Sequence, residues 1–123
     1  MRYLTDRKRA TGLGSAKSGV HHFWAMKVSS VALLILVPLF IFIFGPLLGE
    51  PHDAVIACLS RPFPAIVTAL ILIVGFKHFA DGVQVLIEDY VHGAKQKYAI
   101  ILMTCLSYAL MVTGLFAVAK IAL

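Results

Sequence analysis

Charge is scarce in this chain. Six acidic and eleven basic residues among 123 leave it 14% charged against 60% hydrophobic, a balance that excludes an ordinary soluble domain. Cysteine is nearly absent too. Cys58 and Cys105 stand far apart in no CxxC or CxxCH pattern, which argues against a disulfide framework, a covalently attached c-type haem and an iron–sulfur cluster. The chain carries no flavin motif, no dicarboxylate pocket, no repeat and no feature that points to nucleic acid. It is not expected to be an enzyme on its own.

Three apolar stretches dominate what remains: Val28–Leu48, Ala65–Ile87 and Tyr98–Leu123. Each is about the 20 residues that a helix needs to cross a hydrocarbon core ~30 Å thick. A closed barrel, the other way to satisfy a backbone in lipid, needs many more alternating strands than this length provides. The expected architecture is therefore an all-α membrane protein with helices over about 22–48, 65–91 and 97–122. These form an anchor domain spanning 21–123, preceded by a basic arm, 1–20. The first stretch begins too late, is too long and lacks the small-residue cleavage site of a secretion signal.

The few charges are placed unevenly. Arg2, Arg7, Lys8, Arg9, Lys17 and Lys27 cluster in and just after the arm, and Lys95 and Lys97 follow the second stretch, whereas the Gly49–Pro64 loop has only Arg61 against Glu50 and Asp53. The positive-inside rule then predicts the N-terminus inside and the C-terminus outside. Most of the net charge of +5 reads as an insertion signal, with attraction to anionic lipid or a soluble partner as a further use of the arm.

Helix 1 is expected to start near His21 or His22, with Trp24 at the headgroup level, Lys27 snorkelling towards it and Pro38 kinking the span. Gly45-Pro46, Gly49-Glu50-Pro51 and Arg61-Pro62-Phe63-Pro64 read as punctuation of the outer loop, which has room for one short amphipathic turn from His52 to Leu59. No chemistry is assigned there.

The second stretch carries the chemistry. Its uninterrupted apolar run ends at Phe76, and Lys77, His78 and Asp81 follow inside the membrane, where an ionisable side chain must face protein, cofactor or water. Gly75 and Gly82, at −3 and +4 from His78, share its stripe on a helix, while Lys77 and Asp81 lie about 100° away and are spaced to neutralise each other. Glycine on both sides of an imidazole allows close helix packing, or lets a flat macrocycle approach the backbone. Asp89 and Tyr90 come eleven and twelve residues after His78. Asp89 thus returns to nearly the same face, about 16.5 Å further along. An acid beside a phenol at the interface can bind the carbonyl of a lipid-soluble molecule and supply protons to it.

The run HFADGVQVLIEDYVHG, with His78, Gly82, Asp89 and Tyr90, resembles the haem-and-quinone signature of the smaller cytochrome b anchor subunits of succinate dehydrogenase. The start of helix 1, SGVHHFWAMKVSSVALLILVPL, is similar to that family's Gly-Val-His segment with a basic residue six positions after the His. The resemblance implies a bacterial inner-membrane anchor that packs with a larger cytochrome b anchor subunit into a haem-binding bundle, alongside iron–sulfur and flavoprotein subunits. It also implies His78 as one axial ligand of a shared haem b, and Tyr90 as hydrogen-bond donor to a ubiquinone carbonyl. Asp89 would orient a basic partner group or relay protons. His21 and Lys27 would approach the haem propionates, although Lys27 stands where the family usually has Arg and offers a point charge without the bidentate fork.

Independently of that likeness, His78 is the only histidine at mid-membrane depth, so a bis-His site requires a second chain. Two other readings stay open. One is a small transporter in which Lys77, His78 and Asp81 form a proton or ion path, and the other is a haem-free assembly or anchor protein.

Overall fold

The computed structural model describes residues 4–12 and 19–123. Arg2 and Lys17 of the expected basic arm lie outside them. Within the arm, Asp6–Thr11 forms a short helix, α1, that the polar composition did not announce. Its cause is local. Thr5 accepts the backbone N–H of Lys8 at 3.3 Å, Asp6 sits in the first turn, and Gly12, at φ +54°, ends the helix by donating to the Lys8 carbonyl.

Three long helices follow: α2 (Gly19–Phe44, extended by a 3-10 turn at Gly45–Leu47), α4 (Pro62–Tyr90) and α5 (Ala94–Ala122). Each is long and apolar enough to cross a membrane, so the chain is an all-α protein with three membrane-spanning helices. The short helix α3, His52–Leu59, occupies the loop between α2 and α4. α2 runs unbroken through Pro38.

The start of α4 corrects a sequence expectation. Arg61-Pro62-Phe63-Pro64 was read as loop, yet Pro62 and Pro64 are the opening turn of the helix. The N–H groups of a first turn have no intrahelical partner, so a proline there loses nothing and its fixed φ suits the helix. The first helical bond comes immediately afterwards, from Ala65 N–H to the Arg61 carbonyl at 3.2 Å.

α4 is the central helix, with α2 on one side and α5 on another. Ser60, just before α4, donates to the carbonyl of Ile121 near the end of α5 at 3.3 Å, so these two helices run antiparallel. The connection between them is only Val91, His92 and Gly93, and Gly93 takes a φ of +75°, which a side chain would strain. Ser29, early in α2, meets His78, late in α4, which makes that pair antiparallel as well.

Few apolar side chains are buried within the chain, chiefly Ala65, Val67, Ala80 and Ile87, whereas Trp24, Leu34, Phe42 and Phe116 are all exposed. In lipid the outward surface needs no polar cover, and helices associate instead through close packing and hydrogen bonds. Gly114 shows this directly. A methyl group at its Cα would stand 3.1 Å from Cδ1 of Leu72, so α5 approaches α4 at that point because glycine leaves room. Gly114→Leu is expected to separate the two helices at a cost of about 1–3 kcal/mol. The heat-induced loss of helical circular dichroism in detergent should then come at a lower temperature. Gly114→Ala, which meets only the movable end of Leu72, should come close to the unsubstituted protein. Equal losses from both substitutions would show that this contact does not set the packing.

Candidate functional site

The continuity of α4 places Lys77, His78, Asp81, Asp89 and Tyr90 on one rod, with about 16.5 Å of rise from His78 to Asp89. His78 is half-buried against α2, where its Nδ1 lies 2.9 Å from Oγ of Ser29. Ser29 is buried, with a relative exposure of 8%. Its hydroxyl also lies 2.9 Å from the Met26 carbonyl. The other ring nitrogen, Nε2, forms no hydrogen bond with a described residue.

Lys77 and Asp81 pair with each other one turn apart, and Asp81 is the buried member. Their mutual neutralisation is what permits an acid and a base in this part of a spanning helix, where an unpaired charge costs several kcal/mol.

Two grooves meet at this pair of helices. One, of about 450 Å³ and almost wholly apolar, runs along α2 and α4 past His21, Trp24, Ser29, Ile73 and Lys77. The other, of about 490 Å³, is more polar and takes in His21, His22, Lys77, Gln84 and Glu88. His21 and Lys77 stand at the junction of the two. Nε2 of His22 is buried without a hydrogen-bond partner among the described residues. Lys27 is apart from these groups. It lies over the Phe23 ring, 5.4 Å from its centroid, and two residues of helix place it about 200° round α2 from Ser29. Within this chain, then, His21 shares a groove with Ser29 and Lys77, and Lys27 does not.

The glycines flanking His78 are both open. Gly75 lines an apolar groove of about 340 Å³ between α4 and α5, with Phe76, Phe79, Met103 and Ser107. A Cβ built on Gly75 or on Gly82 would meet nothing within 4 Å, so both positions leave the α4 backbone open to another chain or a flat ligand. Asp89 and Tyr90 end the helix on its exposed side, and Tyr90 is 77% exposed beside a shallow apolar groove formed with Leu86, Ile87 and Val91. The side-chain hydrogen bonds at this end run from Gln84 to the Glu88 carboxylate at 2.9 Å and from Gln96 to the Glu88 carbonyl at 3.3 Å. Neither uses Asp89 or Tyr90.

These donors suit one kind of metal centre. Among the described residues no three His, Cys, Asp or Glu side chains gather to hold a bare ion. A lone imidazole with one nitrogen fixed fits a macrocycle that brings its own equatorial nitrogens, and the open backbone at Gly75 and Gly82 fits a flat neighbour. Sequence reasoning missed Ser29 and His22. Ser29 lies 49 residues from His78, beyond any local spacing rule. Its only sequence signal is a small hydroxyl, one of two adjacent serines, where the apolar part of the helix begins, a type that bonds across membrane interfaces.

Comparison with known proteins bears on the whole of this arrangement. Residues 1–118 match the family described as succinate dehydrogenase/fumarate reductase transmembrane subunit. The chain belongs to that family. It is 44% identical over 123 residues to a succinate dehydrogenase hydrophobic membrane anchor subunit of Paracoccus denitrificans, covering 100% of this chain and 95% of the relative. It is 32% identical over 96 residues to the subunit of the same description from Rickettsia bellii (strain RML369-C), covering 76% and 75%. A succinate dehydrogenase membrane anchor subunit of Reclinomonas americana is 32% identical over 87 residues, covering 66% and 70%. No solved structure matches. As a member of this family the chain is a non-catalytic membrane anchor subunit of a larger enzyme complex. It is a multi-pass membrane protein, and its bacterial relatives are consistent with an inner-membrane location. The match over residues 1–118 includes every candidate site residue from His21 to Tyr90.

Proposed function

We propose that this subunit anchors a succinate:ubiquinone oxidoreductase, supplies one axial ligand of a haem b and contributes part of the site where ubiquinone is reduced. The observation that carries this reading is His78, an imidazole inside a spanning helix with one nitrogen bonded to Ser29 and the other without a partner among the described residues. When bound, a haem b supplies a centre that accepts and releases single electrons. A second axial imidazole would come from another chain, because His78 is the only histidine within the span of any of the three long helices away from their ends, and the resemblance to the family assigns it to the larger cytochrome b anchor subunit. Electrons arrive from an iron–sulfur subunit that is itself served by a flavoprotein subunit.

The remaining roles follow from position and chemistry. Tyr90 donates a hydrogen bond to a quinone carbonyl at the membrane surface, and Asp89 beside it orients a basic partner group or passes protons. His21, at the junction of the two grooves, would be the residue of this chain to hold a haem propionate, and Lys27, on the other side of α2, could contribute only from there. The basic residues of α1, and Lys95 and Lys97 in the first turn of α5, face the cytoplasm, with the C-terminus outside. The transporter alternative has less support, since Lys77 and Asp81 satisfy each other rather than a passing ion.

The test is the gently solubilised native complex. It should contain two different anchor chains with iron–sulfur and flavoprotein subunits, and dithionite should bring up a b-type absorption band. A colourless complex with the full subunit set would reduce this reading to a haem-free anchor. A chain isolated without those partners that carries ions would overturn it altogether.

A further inference from the structure

Ser29 has one hydrogen and two neighbours that compete for it. Its Oγ lies 2.9 Å from the Met26 carbonyl and 2.9 Å from Nδ1 of His78. A carbonyl oxygen has no proton to give. If the hydroxyl pointed at Nδ1, its lone pairs would face those of the Met26 oxygen at hydrogen-bond distance, and the contact would be repulsive. Ser30 also donates to that carbonyl, from its hydroxyl at 2.8 Å and from its backbone N–H in the helical ladder, so the Met26 oxygen is a shared acceptor towards which every neighbouring group turns a hydrogen. The arrangement without repulsion has Ser29 donating to Met26 and accepting from Nδ1–H of His78.

The other ring nitrogen leads to the same result. With the proton on Nε2, His78 would present a donor that meets no acceptor among the described residues, in a spanning segment where an unmatched donor is costly. With the proton on Nδ1, Nε2 keeps only a lone pair, which is what a metal binds. The hydrogen bond made by one imidazole nitrogen decides the state of the other.

We propose that Ser29 is a positioning residue for haem ligation. By accepting Nδ1–H from across the α2–α4 interface it holds His78 in the tautomer with its lone pair at Nε2 and fixes the rotation of the ring, so that Nε2 is the atom offered to iron. The inference rests on the assignment of His78 as an axial ligand. It adds that the ligand is oriented by this chain's own first spanning helix, before any partner subunit is considered.

A hydrogen bond from Nδ1–H makes the imidazole a stronger electron donor to the metal. Removing the acceptor weakens that donation and favours the ferrous state. In the purified complex, Ser29→Ala is therefore expected to shift the haem midpoint potential upward and to change the low-temperature EPR g values of the ferric haem. Ser29→Thr, which restores a hydroxyl, should return both towards the native values. Ser29→Cys, close in size but a poor acceptor, should shift the potential in the same direction as Ala, and it provides the reading if the Ala variant fails to assemble. A purely structural serine would alter heat stability without moving potential or g values. Native values in the Ala and Cys variants, in a complex where His78→Ala loses the haem band, would overturn the role of Ser29 and leave the ligation intact. A haem band that survives His78→Ala would remove the ligation and this inference with it.

Discussion

Complexes carrying His78→Ala are expected to lose most of the dithionite-reduced b-type band when equal amounts of assembled protein are compared. The reason lies in the distribution of imidazoles along the chain. His21 and His22 belong to the first turn of α2, His52 to α3 and His92 to the connection after α4, so no other histidine occupies the span of α4. Nothing in this subunit can substitute at the same depth. Disturbing even an outer hydrogen-bond partner of a metal ligand costs about 10–100-fold in affinity, and deleting the ligand itself should cost more. The hole left beside Ser29 is small and polar, and α2 and α4 keep the rest of their contact, so the anchor should still insert. The measurement is the reduced-minus-oxidised difference spectrum, with subunit content determined on the same sample. A band of native height and position would exclude His78 as a ligand.

Different parts of this protein were legible in the sequence to different degrees, and the differences are physical. The three spans follow from length and apolarity, because a bilayer imposes both, and the short helix at His52–Leu59 followed from its flanking prolines and glycines. Helix ends were less visible. Pro62 and Pro64 look like loop residues until their place in the first turn of α4 is known, and Thr5, Asp6 and Gly12 were capping signals overlooked within a run of basic charge. Within one helix the spacing rules served well: Lys77 and Asp81, four residues apart, do pair. Across helices they had no purchase. Nothing in the order of residues relates Ser29 to His78, because their meeting depends on how α2 crosses α4. The same holds for Gly114 and Leu72, whose closeness sets the α4–α5 approach. Gly75 shares a stripe with His78 on the continuous α4, and what spacing alone could not show is that it also borders a groove towards α5, since a groove is defined by both helices that line it.

Tyr90→Phe is expected to slow ubiquinone reduction about tenfold to a hundredfold while leaving the amount of assembled complex unchanged. The two halves of this prediction have separate causes. Tyr90 is the last residue of α4 and is 77% exposed, and this end of the helix is closed by the Val91 N–H on the Ile87 carbonyl and by the side-chain bonds of Gln84, Gln96 and Glu88. The phenol hydroxyl is thus no part of what holds the chain together, and phenylalanine keeps the apolar ring against Leu86 and Val91. For a quinone in an apolar pocket the situation is the reverse. Its carbonyl oxygen gains negative charge on reduction, and a donor aimed at it stabilises the reduced form more than the oxidised one. Leaving such an acceptor unsatisfied costs about 1–3 kcal/mol, and 1.4 kcal/mol corresponds to roughly one factor of ten. The effect should fall on kcat as well as on KM, because the lost interaction strengthens as charge develops. Succinate oxidation by a soluble dye that draws electrons ahead of the membrane subunits should proceed at the native rate, which separates a quinone defect from a damaged complex. Native kinetics with ubiquinone would remove Tyr90 from the quinone site, and parallel losses with quinone and dye would assign its hydroxyl to assembly instead.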